Sequence, residues 1–239
     1  MTSPLLDSHN LSTLSTAQRY NEALVGEFVS AWGKSGSGTL SRLVDFGAGI
    51  GTLTQALRFH AKFTTAIEPS TQYWPALQSK CDQVRASISS PPLVGCADAI
   101  FTSNVLEHIE DDESVLQSFF ETLQPGGLLF IYVPALPHLF SDMDRAVGHV
   151  RRYTREELSS KLSRAGFSIK SVDYRDSLGV PASWWLKLRG SSSAHPSEEM
   201  VQFYDKWIFP LSRKLDKLGA SGFFGKNLLA VATRPLASK

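Results

Sequence analysis

The 239-residue chain carries 24 Lys plus Arg against 23 Asp plus Glu, a formal net charge of +1, which disfavours the broad basic footprint that nucleic-acid backbones demand. The opening MTSPLLDSHN has neither a basic n-region nor a long apolar run, and no later stretch reaches the roughly 18 uncharged apolar residues of a membrane span. Cys81 and Cys96 sit at no metal or disulfide spacing, so a soluble, cytoplasmic single domain over 1–239, without a metal, is the expectation.

In chain order, residues 14–32 place Leu14, Ala17, Leu24, Val25, Phe28 and Val29 near a helical period. They predict an amphipathic opening helix, followed by a Gly/Ser linker at 33–39. Gly33-Lys34-Ser35 resembles a phosphate loop but lacks its glycine spacing and follows a helix rather than a strand. Leu43, Val44 and Phe46 then run into glycines, as a buried parallel strand entering a tight turn does. Further strands are predicted at 63–67, about 84–88, 97–102, 128–133, 168–174 and 227–232, with helices at about 52–60, 71–80, 112–123 and 155–165. The last helix has a clear start, because Thr154 and Glu157 stand at capping-box spacing, and Gly166 stops it. Alternation of this kind implies a doubly wound, mainly parallel α/β sheet with helices on both faces. Two stretches break it, 134–153 and 176–222, and both are read as insertions lying over the active site as a lid.

The most informative segment is Asp45-Phe46-Gly47-Ala48-Gly49-Ile50-Gly51. Alternate glycines after a strand permit a sharp bend and close backbone approach to a ligand, and the next helix offers free N–H groups to an anion. The spacing is G-x-G-x-G rather than the dinucleotide G-x-G-x-x-G, and Asp45 at the strand end suits a cationic ligand. Glu68, in AIEPS after the second strand, stands near the roughly 20-residue offset of a ribose-binding acid.

Together with Asp98–Ile109 (DAIFTSNVLEHI) and Leu123-Gln124-Pro125-Gly126-Gly127, these motifs resemble the class I S-adenosylmethionine-dependent methyltransferases, in particular a broad bacterial small-molecule group. The resemblance implies a seven-stranded sheet whose last strand is reversed, with S-adenosylmethionine across the strand ends. It implies Asp45, Gly47, Ala48, Gly49 and Gly51 at the methionine part, Glu68 and Pro69 at the ribose, and Ser87 and Ile88 at the adenine. Tyr20 from the opening helix, Ser103 and Asn104 complete the implied cofactor set. The adenine loop departs from its relatives, offering Ser87 and Ser89 where an acid is common.

Methyl transfer from a sulfonium is an in-line displacement in which positioning does most of the work, with a base needed only for a protonated acceptor. His108 follows the fourth strand and reads either as a base or as a cap for the acidic run after it. His149, in GHVRRYT, is the preferred general base, since imidazole exchanges protons near neutrality. Arg151 and Arg152, with Tyr153, either grip an anionic acceptor or pair with Asp142 and Asp144. Trp184, Trp185, Tyr204 and Trp207 in the second insertion suit an aromatic acceptor wall. Positions 203, 207, 211, 215 and 218 form an apolar helical stripe read as packing on the sheet, with membrane contact as the lesser alternative and a kink at Pro210. O-methylation of a small-molecule acceptor leads. C- or N-methylation of an apolar, isoprenoid-like, anionic substrate is the enzymatic alternative, and a catalytically silent cofactor-binding partner protein is the alternative of another class.

Overall fold

The computed structural model describes residues 12–13, 15–35, 38–90, 92–182 and 197–236. Helix α1 spans Gln18–Ser35 and strand β1 Arg42–Phe46. After α2 (Thr52–Leu57) come β2 (Phe63–Ile67), the short α3 (Trp74–Leu77) and β3 (Gln83–Arg85). The second half contains β4 (Ala97–Ser103), α4 (Asp112–Thr122), β5 (Leu123–Pro134), α5 (Asp142–Ala146) and α6 (Arg155–Arg164). It closes with β6 (Ser168–Arg175), α7 (Glu198–Phe203), α8 (Phe209–Lys217) and β7 (Asn227–Thr233). The sheet order is β3-β2-β1-β4-β5-β7-β6, parallel except for β7, which runs antiparallel to both β5 and β6. Chain order reverses between β1 and β4, so a crevice opens at the carboxyl ends of those two strands.

The core explains why β5 reads as an unbroken apolar run. Leu129, Ile131 and Val133 enter one layer with Leu116 and Phe119 of α4 and Leu158 and Leu162 of α6. The alternate residues Leu128, Phe130 and Tyr132 enter the opposite layer with Leu24, Val25, Phe28 and Trp32 of α1. A strand covered on both faces has no solvent side on which to place polar residues. Phe28 is fully buried, edge-on to Phe101 at 5.7 Å and to Phe130 at 5.8 Å, and so fixes α1 over the sheet. Thr154 caps α6 as its spacing predicts, its hydroxyl accepting from Glu157 N at 3.0 Å, and Gly166 leaves the helix at φ 92°.

Three boundaries differ from the sequence reading. Gly33-Lys34-Ser35 is the last turn of α1 rather than linker, closed by Ser35 Oγ on the carbonyl of Trp32 at 2.6 Å. Strand β5 begins at Leu123 and takes in the segment read as a turn, with a register shift opposite Ala97 and Ala99. Strand β3 ends at Arg85, short of Ser87.

The larger difference concerns the apolar stripe. Phe203, Trp207, Leu211 and Leu218 are 61%, 60%, 51% and 83% exposed, so the stripe faces outward instead of packing on the sheet. The polar face of the same segment is what docks. Asp205 is buried and accepts from the backbone N–H of Arg19 at 3.0 Å and Tyr20 at 2.8 Å, donors that the first turn of α1 cannot satisfy itself. Asp216 takes the N–H groups of Asp176 and Ser177 at 2.8 and 3.2 Å, and Ser212 Oγ takes that of Leu178 at 3.0 Å. Orphan backbone donors next to the sheet therefore choose the face, since leaving them buried and unpaired costs more than exposing side chains. Pro210 has no N–H to give, and the turn before it, Tyr204–Ile208, widens to a π-helix.

Asp205→Ala removes the acceptor at the start of α1 and is expected to destabilise the protein by about 1–2 kcal/mol. Denaturant titration reads this as a lower midpoint at unchanged slope, and an unmoved midpoint would show that solvent satisfies those donors equally well. Among the described residues no helix is long and apolar enough to cross a membrane.

Candidate active site

At the carboxyl end of β1, Asp45 is buried and accepts a 2.5 Å hydrogen bond from Thr54 Oγ1 on α2. Burial pushes its carboxyl up to about 6; the Thr54 bond works against that rise and the charge of Glu68 adds to it. The chain then bends through Gly47, Gly49 and Gly51 at φ 79°, 54° and 79°. A Cβ on Gly47 would lie 2.2 Å from a methyl of Val105, so the bend is pressed against the loop after β4 and admits no side chain there. The N–H groups of Gly47 and Ala48 are both bonded to the carbonyl of Ile67 at 2.9 and 3.1 Å, which locks the bend to the end of β2.

Glu68 follows β2 and is buried. Its Oε2 accepts from Gly49 N and its Oε1 from Ser70 N, both at 2.8 Å. Two backbone N–H groups thus aim the carboxylate. Pro69 is exposed beside it, and Ser87 is half-buried ahead of a core Ile88. Tyr20 of α1 reaches the same edge of the sheet, its hydroxyl accepting from Asn104 Nδ2 at 3.2 Å. Asn104 holds a left-handed backbone (φ 54°) and also donates to Ser103 Oγ at 3.0 Å. Burial, with the charges of Asp176 and Glu107 nearby, pushes the Tyr20 phenol well up, so it stands here as a neutral hydroxyl.

Beyond β4, the side chains of Glu107, His108 and His149 converge, with one potential ligand atom from each lying within 4.8 Å of the others. His149 Nδ1 bonds Asp144 Oδ1 at 2.8 Å, and its Nε2 lies 3.8 Å from Glu107 Oε1. Its ring stands edge-on to that of His108, with centroids 4.7 Å apart. Burial opposes the charge of Asp144. The bonds from His149, Arg152 and Ser141 outweigh burial and hold the carboxyl far below its usual range. Glu107 is less well supported: its carboxylate is fully buried, neither oxygen has a hydrogen-bond partner, and burial pushes its pKa up to about 8 against the opposing influence of its own backbone amide and the charge of Arg152.

Several side chains read as acceptor contacts are committed elsewhere. Arg152 bonds Asp144 with Nε at 2.9 Å and a terminal nitrogen at 3.1 Å. Arg151 pairs with Asp112 at 3.0 Å, not with Asp142 or Asp144, and also bonds the carbonyl of Glu110. Tyr153 is fully buried, its hydroxyl given to Asp112 at 2.7 Å, with Lys161 on the same carboxylate. Arg151 and Tyr153 therefore fasten the segment after α5 to the start of α4, and Arg152 ties it back to α5. Trp207 is exposed with Lys206 over its ring at 5.3 Å. Trp184 and Trp185 lie outside the described residues. Tyr204 does point inward, donating to Asp176 Oδ1 at 2.6 Å. His108 does not cap α4; the Asp111 side chain does, accepting from Ser114 N.

The sequence reading missed Glu107 as a site residue and Asp176 altogether. Glu107 was visible only as part of NVLEHI, and Asp176 reveals itself through a left-handed backbone (φ 61°) that sequence does not announce.

A glycine bend and an aimed acid at the switch point of a sheet with a reversed last strand define a class I, S-adenosylmethionine-dependent methyltransferase. The chain belongs to the methyltransferase-domain family, which it matches over residues 14–172. Among solved structures it is similar to an S-adenosylmethionine-dependent methyltransferase of Mesorhizobium loti, at 19% identity and TM-score 0.56, over 82% of this chain and 92% of that one. It is similar to another from Archaeoglobus fulgidus, at 14% identity and TM-score 0.58, over 89% and 94% of the two chains. Haemonchus contortus phosphoethanolamine N-methyltransferase 2, in complex with S-adenosyl-L-methionine, aligns at 17% identity and TM-score 0.54, over 82% of this chain and 49% of its own. No curated protein matches the chain significantly.

Proposed function

We propose that the chain methylates a hydroxyl of a small-molecule acceptor bound beyond β4 and β5, with His149 as general base. The observation that carries this reading is the 2.8 Å bond from His149 Nδ1 to Asp144. That bond fixes the tautomer in which Nδ1 holds the hydrogen and Nε2 faces the site with a free lone pair. The dyad meets Glu107 and His108, which follow Asn104 in the loop after β4.

On the cofactor side, Asp45 and the 47–51 bend hold the methionine part, and Glu68 with Pro69 holds the ribose. Ser87 and Ile88 border the adenine, while Tyr20, Ser103 and Asn104 close the crevice from above. The residues fit that group, because the bend leaves no room for a side chain at Gly47 and two backbone N–H groups aim the buried Glu68 carboxylate. The bound cofactor supplies a methyl group on a sulfonium: its C–S bond breaks as the C–O bond forms, sulfur keeps the electron pair, and the acceptor proton passes to His149 Nε2. Tyr204 and Asp176 bound the far side of the acceptor space.

Screening metabolite extracts with cofactor labelled in the methyl group tests the reading. The expected product carries the label on oxygen. Label found on nitrogen or carbon would replace it by the corresponding alternative, and cofactor binding without any labelled product would favour a silent binding partner.

A further inference from the structure

We propose that Glu107, His108 and His149 bind a divalent transition-metal cation at the carboxyl end of β4. The three residues present one carboxylate oxygen and two imidazole nitrogens within 4.8 Å of one another. Around a tetrahedral ion at about 2.1 Å, ligand atoms stand about 3.4 Å apart, so the three side chains must draw in by up to about 1.4 Å to close on one ion.

Two independent observations point to a ligand. Glu107 is 0% exposed and neither of its oxygens has a hydrogen-bond partner, although buried carboxylates are otherwise bonded or paired. Arg152 is already bonded to Asp144 and Arg151 to Asp112. Second, His149 is prepared as a ligand on its outer side. Its Nδ1 is tied to Asp144, which is itself held by Arg152 and Ser141. A carboxylate behind a ligating imidazole orients the ring and raises its basicity. That orientation sends Nε2 toward Glu107. His108 is exposed, so the set is open on one side, as three-ligand sites with a position for substrate are. Two imidazoles and one carboxylate suit zinc, manganese, iron or cobalt better than magnesium or calcium.

The role of such an ion rests on the hydroxyl-acceptor reading above. A hydroxyl coordinated to the ion would give its proton to solvent water near neutral pH, so in the loaded site the ion would take over the task given to His149, whose Nε2 would be a ligand.

The experiment uses the full chain, treated with chelator and freed of it, and titrated with zinc and with manganese by calorimetry. One ion per chain is expected. Glu107→Gln and His108→Ala should each weaken binding at least 100-fold, and Asp144→Asn 10- to 100-fold. His108→Ala changes an exposed side chain, and S-adenosylhomocysteine binding reports whether each variant is folded. A protein that takes up neither metal, or one whose affinity survives the Glu107→Gln, His108→Ala double change, overturns the site. No turnover enters these measurements, so product labelled on carbon would sink the hydroxyl reading and leave the metal site standing.

Discussion

Asp45→Asn is expected to make the unliganded protein more stable at pH 8 while weakening cofactor binding 10- to 100-fold. The carboxyl is buried, and burial pushes it up to about 6 against the opposing Thr54 bond, with Glu68 adding to the rise. A folded value above the unfolded one means that the folded protein holds the proton more tightly. The stability this contributes is complete below the unfolded value near 3.8 and is lost as pH rises through about 6. Above that window the ionised group costs on the order of 3 kcal/mol relative to a neutral one. Asparagine keeps an acceptor for Thr54 and avoids the charge, so the midpoint gain should be several degrees at pH 8 and vanish near pH 4. Binding has the opposite sign, because the methionine end of the cofactor is cationic and a charged hydrogen bond to it contributes about 1.5–3 kcal/mol. For the same reason the wild-type dissociation constant should fall as pH rises through 6. Melting curves and cofactor titrations at both pH values check this. A variant that is less stable at pH 8, or that binds cofactor as tightly as wild type, would remove Asp45 from the cofactor site.

Features set by neighbours along the chain were legible in the sequence, and those set by long-range polar contacts were not. Strand β2 falls on the predicted 63–67 and β7 extends the prediction by a residue, because buried strands need apolar runs bounded by turns; β6, half-exposed at the sheet edge, also extends it by one. The glycine bend and the cap at Thr154 were readable because backbone conformation demands those residue types at fixed offsets. The outward stripe of α7 and α8 was not, since periodicity reports which positions share a face and not what that face meets. Asp205 and Asp216 decide it through backbone donors 186 and 40 residues away. The same blindness applied to Arg151 and Tyr153, whose partner Asp112 stands 41 residues from Tyr153. Dense polar motifs look like binding sites in one dimension whether they face a ligand or one another. His108 and His149 could each be suspected singly, but only the crossing of β4 past the segment after α5 brings them together.

His149→Ala should lower kcat by roughly 100- to 10,000-fold, the range over which a positioned proton acceptor contributes, with cofactor affinity unchanged. A purely structural role predicts another pattern. His149 is one of several groups on Asp144, and the two hydrogen bonds from Arg152 to that carboxylate remain after the imidazole is removed, so the fold should lose little and the melting midpoint should move by a few degrees at most. Asp144→Asn sharpens the distinction. It leaves the ring in place but removes the charge that selects its tautomer, so kcat should fall. The same change deprives Arg152 of its partner, and so its melting curve should shift further than that of His149→Ala. If both variants lose stability in parallel with activity, His149 is a strut of the segment and the proton must leave by another route. If His149→Ala turns over normally, the acceptor atom carries no proton, and methylation of a nucleophile such as a tertiary amine becomes the reading to pursue.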